Sequence, residues 1–255
     1  MWPAGNERRI QTVSRSRPHS ATLVATSWDA CRTYGEGEAG IARRQLERLR
    51  NIVSYARTHS AYFANRYRNI PEPVADIRQL PVVTKEEMMS HFDEWVTDPL
   101  VNREQVATFI ADLSLIGHDY LGRYVVCTTS GATGVPAIFL HDRGALVVYN
   151  VLGYIRSLPV VLSSWRTWAA LLHGSGRLAA VFVTGGHFLG NTMMARRLRT
   201  MPWRARTQRI FSALAPLDDL VRDLNAFQPV MLGGYPSALE ALAREQQAGR
   251  LRHGV

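Results

Sequence analysis

The residue types best suited to chemistry lie together in one glycine-rich stretch, residues 128–136. The stretch reads Thr128, Thr129, Ser130, Gly131, Ala132, Thr133, Gly134, Val135 and Pro136. Its glycines let the backbone turn tightly and point several N–H groups at one spot, and its hydroxyl groups add further donors. Such an arrangement suits an anion, and a phosphate above all. A plain hairpin turn between two strands is the commoner structure for such residues and stays open as the alternative.

The stretch differs from two familiar phosphate loops. It lacks the Gly-Lys-Ser/Thr ending of a Walker loop, and its glycine spacing is not that of the dinucleotide-binding fingerprint. Ser130 is not favoured as an acyl nucleophile, because the Gly-x-Ser-x-Gly elbow is absent. Cys127 has no histidine or acid near it in the sequence, so we expect a buried, unreactive thiol. The sequence therefore assigns no catalytic residue.

Metal chemistry is not indicated by the histidines or the cysteines. The eight histidines show no His-x-x-x-His spacing. The two cysteines, Cys31 and Cys127, are too few for a disulfide scaffold or a cysteine-rich zinc site. The expected reduced thiols and the lack of a signal-like apolar run among the first residues predict a cytoplasmic protein. We expect no metal to be bound by these histidines and cysteines.

The composition is that of a water-soluble globular chain, with 46% hydrophobic and 20% charged residues. The longest uncharged run, residues 178–195, approaches the length of a membrane span. It contains three glycines and Asn191, so it predicts a strand, a turn and a helix. We therefore expect no membrane association.

Positive charge is concentrated in one segment of the chain. The formal charge is +9, yet no acidic residue lies between Asp142 and Asp218. The arginines of that segment are Arg143, Arg156, Arg166, Arg177, Arg196, Arg197, Arg199, Arg204, Arg206 and Arg209. They would attract phosphates, nucleic acid or an acidic surface. The alternative is that they only lie on solvent-exposed helix faces. The chain contains a single lysine, Lys85, which limits lysine chemistry.

Alternating strand and helix patterns predict an α/β fold. Residues 1–35 carry arginines without apolar periodicity, which predicts a flexible basic segment, and residues 36–255 are predicted to form one domain. An amphipathic helix starts near Gly40, and Thr84 is a predicted N-cap with Glu87 as its capping-box partner. Strands are predicted at 124–129, 137–140, 168–172, 178–184, 208–212 and 229–232, and helices at 144–157, 191–199, 217–226 and 237–248. This order is typical of a layered, largely parallel sheet flanked by helices.

The glycine-rich stretch resembles the phosphate-binding loop of the adenylate-forming (AMP-binding) enzymes. That loop has the pattern Ser/Thr-Ser-Gly-Thr/Ser-Thr-Gly-x-Pro, which residues 129–136 follow with one exception. Further segments resemble the phenylacetate–coenzyme A ligase branch of this superfamily. They are Trp28 with residues 45–49, residues 55–63, the Leu-Pro-x-x-Thr-Lys segment at 80–85, and residues 227–239. Together they extend over roughly residues 28 to 252.

The resemblance implies a two-step reaction that uses ATP, magnesium and coenzyme A. A small carboxylic acid would attack the α-phosphate of ATP to give an acyl-adenylate and pyrophosphate, and the acyl group would then pass to coenzyme A. By resemblance, residues 129–134, Gly234 and Tyr235 would contact the nucleotide, and His187 would lie near the acyl pocket. A packing role for His187 and a purely conformational role for the glycines stay open. Nucleic acid is not an expected partner.

The chain also departs from the family pattern. Ala132 replaces a hydroxyl residue, and Val135 stands where many members have lysine. The family's aromatic-x-x-Glu segment, ribose-binding aspartate and C-terminal lysine domain have no counterpart among residues 1–255. We therefore expect an incomplete N-terminal domain that is inactive alone and whose uncovered apolar surface needs a partner chain or self-association. The alternative is a non-catalytic nucleotide-binding or interaction remnant.

Overall fold

The computed structural model describes residues 22–131, 134, 136–162, 165, 168, 169 and 176–252. Its helices are α1 Leu23–Gly35, α2 Gly37–His59, α3 Ala61–Arg66, α4 Lys85–Ser90, α5 Phe92–Trp95, α6 Arg103–Ala111, α7 Arg143–Leu162, α8 Leu189–Thr200, α9 Leu217–Phe227 and α10 Pro236–Gln247. Its strands are β1 Asp119–Tyr120, β2 Tyr124–Thr128, β3 Ile138–His141, β4 Leu178–Phe182, β5 Gln208–Ser212 and β6 Met231–Gly234. Short 3₁₀ turns lie at Ile77–Gln79, Leu113–Leu115 and Pro202–Arg206.

The described strands form two three-stranded sheets of different type. The first has the order β1-β2-β3 and is antiparallel, with Cys127 opposite Phe139. The second has the order β5-β4-β6 and is parallel, with Ala180 between Ile210 and Gly233. The predicted α/β class with a parallel sheet flanked by helices is confirmed. The described residues also form a second, antiparallel sheet, which carries the glycine-rich stretch in the hairpin arrangement that the sequence analysis left open.

The parallel sheet is buried against two helices on one face. Ala179 and Val181 of β4 pack with Leu220 and Leu224 of α9 and with Leu242 of α10. The buried positions of α9 recur every three or four residues, which turns one apolar stripe of that helix toward the sheet. Burial of this stripe fixes α9 and α10 on the same side of β4.

Helix α8 joins the two sheets. Its Met193 packs against Val125 and Cys127 of β2 and against Leu146 of α7. Because α8 connects two parallel strands, β4 and β5, it also belongs to the layers of the parallel sheet. Both sheets therefore share this helix.

A tight contact at Gly117 holds α8 in place. A Cβ atom at Gly117 would lie 2.6 Å from the Arg196 backbone nitrogen, and its φ of +80° lies in the left-handed region. Arg196 donates two hydrogen bonds to the Asp119 carboxylate, at 2.7 and 3.0 Å. These bonds hold the pKa of Asp119 below its usual value. Arg199 Nε donates to the Gly117 carbonyl over 3.2 Å.

Two sequence-based expectations differ from the structure. Residues 23–35, predicted to be flexible, form helix α1, in which the Thr22 hydroxyl accepts a hydrogen bond from Ala25 N–H. Residues 1–21 of the predicted segment lie outside the described residues. In the strand predicted at 168–172, Trp168 and Ala169 are helical and the other three positions lie outside the described residues.

The predicted N-cap at Thr84 is confirmed. Its hydroxyl accepts from Glu87 N–H over 3.2 Å, as expected for the first turn of α4. The Glu87 carboxylate accepts from Arg66 of α3 and so links two short helices.

We predict that Gly117→Ala destabilises the chain more than Gly122→Ala. Both glycines have positive φ, at +80° and +66°, but a Cβ at Gly122 meets no atom within 4 Å. In both variants, alanine at a positive φ should lower the free energy of unfolding by about 1–2 kcal/mol. At Gly117, the collision of the new Cβ with α8 should lower it by roughly a further 1–3 kcal/mol. Chemical denaturation measures both free energies of unfolding. Equal losses for the two variants would contradict the close approach to α8.

Candidate functional site

The glycine-rich stretch connects β2 to β3. At its base, Thr129 N–H donates to the Ala137 carbonyl over 3.0 Å, and the Thr129 hydroxyl accepts from Ala137 N–H over 2.9 Å. Within it, Gly134 N–H donates to the Gly131 carbonyl over 2.9 Å. The φ angles of Gly131 and Gly134 are +70° and +117°, a region that glycine tolerates best. The connection is therefore a hairpin with a tight glycine turn inside it.

The turn is open to solvent and stands on a rigid base. Thr129, Ser130 and Gly134 are exposed and Gly131 is half-buried, whereas Cys127 below them is 2% exposed. Ala132, Thr133 and Val135 lie outside the described residues. The exposed residues Thr129, Ser130 and Gly134 are therefore accessible to a ligand, while the base of the turn is held by the sheet.

The end of β2 lies beside the segment that follows β4. Thr128 N–H donates to the His187 carbonyl over 2.8 Å, and Thr128 forms a parallel bridge with Phe188. Since β2 and this segment run in the same direction there, the glycine turn emerges next to the start of α8. This bridge brings the first predicted site residues close to the His187 backbone.

The His187 side chain points into the core. It is 1% exposed, its Nε2 lies 3.3 Å from the Asp112 carbonyl, and its ring centroid lies 5.4 Å from that of Phe109. Its Nδ1 is buried without a hydrogen-bond partner in the described part of the chain. The geometry favours the packing interpretation of this side chain. A contact with an acyl substrate stays a prediction.

Gly234 and Tyr235 stand at the carboxyl end of β6. A Cβ at Gly234 would lie 2.6 Å from the Val181 carbonyl oxygen, so β6 can approach β4 this closely only with glycine. The Tyr235 ring packs edge-on against Phe182, with centroids 5.5 Å apart. Phe182 in turn lies over Gly190, where a Cβ would meet its ring at 2.7 Å.

The carboxyl ends of β4 and β6 lie at a topological switch point, the position at which α/β folds bind ligands in a crevice. The chain leaves β4 for α8 and leaves β6 for α10, and these helices lie on opposite faces of the sheet. Both predicted regions contact residues 182–188, Thr128 through His187 and Phe188 and Tyr235 through Phe182. Sequence analysis missed Phe182. Its position as the last residue of a parallel strand is the signal that would have identified it.

The described residues contain no group of three or more His, Cys, Asp or Glu side chains that could hold a metal ion. Within the same ranges, no helix is both long enough and apolar enough to cross a membrane.

Neither the protein-family models nor the curated proteins contain a match to this sequence. Among solved structures, the chain is similar to an open conformation of 2-hydroxyisobutyryl-CoA ligase in complex with 2-HIB-AMP and CoA. The two share 18% sequence identity with a TM-score of 0.44, over 84% of this chain and 41% of that chain. The chain thus corresponds to about two fifths of the length of that ligase.

We predict that Cys31 reacts with thiol reagents in the folded chain and Cys127 does not. Cys31 is exposed, whereas burial of Cys127 raises the pKa of its thiol to about 12. At pH 8 a pKa near 12 leaves roughly one thiol in ten thousand as the reactive thiolate. Mass spectrometry after iodoacetamide treatment measures both positions. The Cys31→Ser variant should be labelled only in denaturant, and rapid labelling of native Cys127 would contradict the buried base of the turn.

Proposed function

We propose that residues 1–255 belong to an adenylate-forming ligase that activates a carboxylic acid with ATP and passes the acyl group to coenzyme A. The proposal rests chiefly on the glycine turn, whose residues 129–136 resemble the phosphate-binding loop of such enzymes. Its support in the geometry is the pair of positive-φ glycines, half-buried Gly131 and exposed Gly134, that follows a buried strand.

In this proposal, the glycine turn binds the ATP phosphates and the crevice binds the rest of the nucleotide. Backbone N–H groups of residues 130–133 would donate to phosphate oxygens, as a nest of this kind does, because those of Thr129 and Gly134 already donate within the hairpin. Tyr235 would offer its ring to adenine, beside the close-packed Gly234. Magnesium would be held by the nucleotide phosphates together with residues outside the described set, because the described carboxylates form no metal-binding cluster.

We further propose that residues 1–255 need additional chain to complete the reaction. An exposed apolar face on α7 supports this. Tyr154, Leu158 and Leu162 recur every four residues, so they share one helix face, and they are 57%, 53% and 50% exposed. Contiguous apolar surface of this kind marks an interaction site. Either a further chain or a second copy would cover it.

A non-catalytic nucleotide-binding remnant is the second candidate. It is favoured by the departures inside the glycine turn, where Ala132 replaces a hydroxyl residue and Val135 stands where many family members have lysine.

We predict that ATP and pyrophosphate bind weakly, at roughly millimolar affinity, and that Gly131→Val abolishes binding. A Cβ at Gly131 would lie 2.9 Å from Pro136 Cγ and 3.1 Å from the Gly134 oxygen, so the turn must change shape. Isothermal titration calorimetry measures the affinities. Gly134→Ala tests the same turn without a steric clash, since no atom lies within 4 Å of its Cβ position.

The matched control is Gly122→Ala, which strains a positive-φ glycine in the β1–β2 turn without touching the glycine turn. It should bind ATP as the parent chain does. Unchanged ATP affinity in both Gly131→Val and Gly134→Ala would refute the phosphate-binding role of the turn.

We predict that residues 1–255 alone do not release pyrophosphate from ATP with a panel of aryl and fatty acids. The loss of one preorganised charged donor raises the activation free energy by about 3–4 kcal/mol, which lowers the rate roughly a hundred- to a thousandfold. A fusion to the C-terminal half of an adenylate-forming ligase supplies the missing lysine and should restore turnover.

The two candidate functions give different results in this experiment. ATP binding with turnover only in the fusion supports the ligase. ATP binding without turnover in either protein supports the remnant. Turnover by the unfused chain at the rate of the fusion would overturn the proposal that residues 1–255 are catalytically incomplete.

A further inference from the structure

Several arginine residues lie at the edge of the parallel sheet where its strands begin, opposite the crevice at the carboxyl ends. We call them the amino-edge cluster, which comprises Arg177, Arg204, Arg206, Arg209 and Arg252. Because β4, β5 and β6 are parallel, their first residues meet at this edge. Arg177 precedes β4, Arg209 is the second residue of β5, and the 3₁₀ turn Pro202–Arg206 leads into β5.

Hydrogen bonds hold the parts of the amino-edge cluster together. Leu178 N–H donates to the Thr207 carbonyl over 2.7 Å, which ties the 3₁₀ turn to the start of β4. Arg177 Nε donates to the Gln228 carbonyl over 3.1 Å, and Gln228 Nε2 donates to the Arg252 carbonyl over 2.7 Å. Residues far apart in sequence therefore reach one surface.

The charges of this cluster are not neutralised. Within the described part of the chain, none of its five arginines forms an ion pair with a carboxylate, whereas Arg196 and others elsewhere do. Acids of α9 and α10 form ion pairs with other arginines, Asp219 with Arg222 and Glu245 with Arg250. The surface therefore keeps a positive potential that a polyanion would neutralise.

Two guanidinium groups converge on one buried ring. The central carbons of Arg177 and Arg209 lie 6.0 and 4.9 Å from the centroid of Phe227. Two like charges around one ring repel each other, and a bound phosphate would relieve that repulsion and accept hydrogen bonds from both. The guanidinium groups of Arg177 and Arg209 are therefore the candidate phosphate contacts.

An exposed aromatic residue lies in the same region. Trp203 is 64% exposed, and the Arg204 guanidinium lies 4.6 Å from its ring centroid. A solvent-exposed tryptophan among arginines provides a stacking face for a nucleobase, and stacking plus positive charge is the usual chemistry of single-strand binding. The indole cannot stack in this way on the paired bases inside a duplex.

We propose that the amino-edge cluster binds single-stranded nucleic acid, with Arg177, Arg206 and Arg209 contacting phosphates and Trp203 stacking on a base. This surface is separate from the crevice at the carboxyl edge, so it would act independently of the proposed ATP site. The sequence alone did not favour a nucleic acid, because it could not show that these arginines share one surface without carboxylate partners.

The test is fluorescence anisotropy of a labelled oligothymidylate of about twelve nucleotides, within the usual range of single-strand site sizes. With about three phosphate contacts, affinity should fall roughly twentyfold between about 50 and 200 mM salt. The double variant Arg206→Gln/Arg209→Gln should bind at least about tenfold more weakly at low salt and show a shallower salt dependence. Trp203→Ala should lose about tenfold in affinity.

The matched control is Arg143→Gln/Arg156→Gln, which removes the same charge from exposed positions of α7. It should bind as the parent chain does, and thermal unfolding should show that all variants are folded. An equal loss in control and test variants would overturn the proposal in favour of general charge attraction. No binding at low salt, or equal binding of poly-glutamate with no effect of Trp203→Ala, would also overturn it.

Discussion

The close approach of helix α8 to the turn at Gly117 is the constraint on which the relative position of the two sheets depends. At this point the backbone of the turn meets the backbone of the helix with no room for a side-chain carbon. The Arg196–Asp119 pair and the Arg199–Gly117 hydrogen bond then fix the rotation of the helix. A partly buried ion pair of this geometry positions groups more than it adds net stability. Its contribution here is orientation.

The candidate site follows from that constraint. With α8 held between the sheets, the end of β2 pairs with Phe188 and the glycine turn lies beside the carboxyl end of β4. Tyr235 reaches the same chain segment through Phe182. The two regions that resemble nucleotide-binding segments thus lie on either side of residues 182–188, although Gly134 and Gly234 are 100 positions apart in the sequence. The parallel sheet presents opposite chemistry at its two edges, glycine-rich at one and arginine-rich at the other.

Local patterns in the sequence were sufficient to predict many elements. Strand β5 has the predicted bounds, α9 ends one residue after its predicted end, and Thr84 caps its helix as expected. Helix α1 was missed because none of its residues is buried, so it lacks the apolar stripe by which amphipathic helices are identified.

The antiparallel pairing of β2 with β3 matches the hairpin that the sequence analysis left open for the glycine-rich stretch. Strand β2 is buried at its centre, which is typical of parallel sheets, yet only nine residues separate it from β3. A parallel crossover needs a dozen or more residues, so the length of the connection already excluded it. Contacts such as Gly117 with Arg196 depend on residues 79 positions apart, and no local pattern encodes them.

The burial of Cys127 under α8 has a consequence for the order in which the chain can assemble. The antiparallel hairpin is made early in synthesis, but the Met193 side chain that packs on Val125 and Cys127 is made 66 residues after Cys127. At 5–20 residues per second, the ribosome needs about 3–13 s to supply it. During this interval the apolar surface of β2 has no cover from α8. An uncovered apolar strand of this kind is open to aggregation and to recognition by a chaperone until α8 is made.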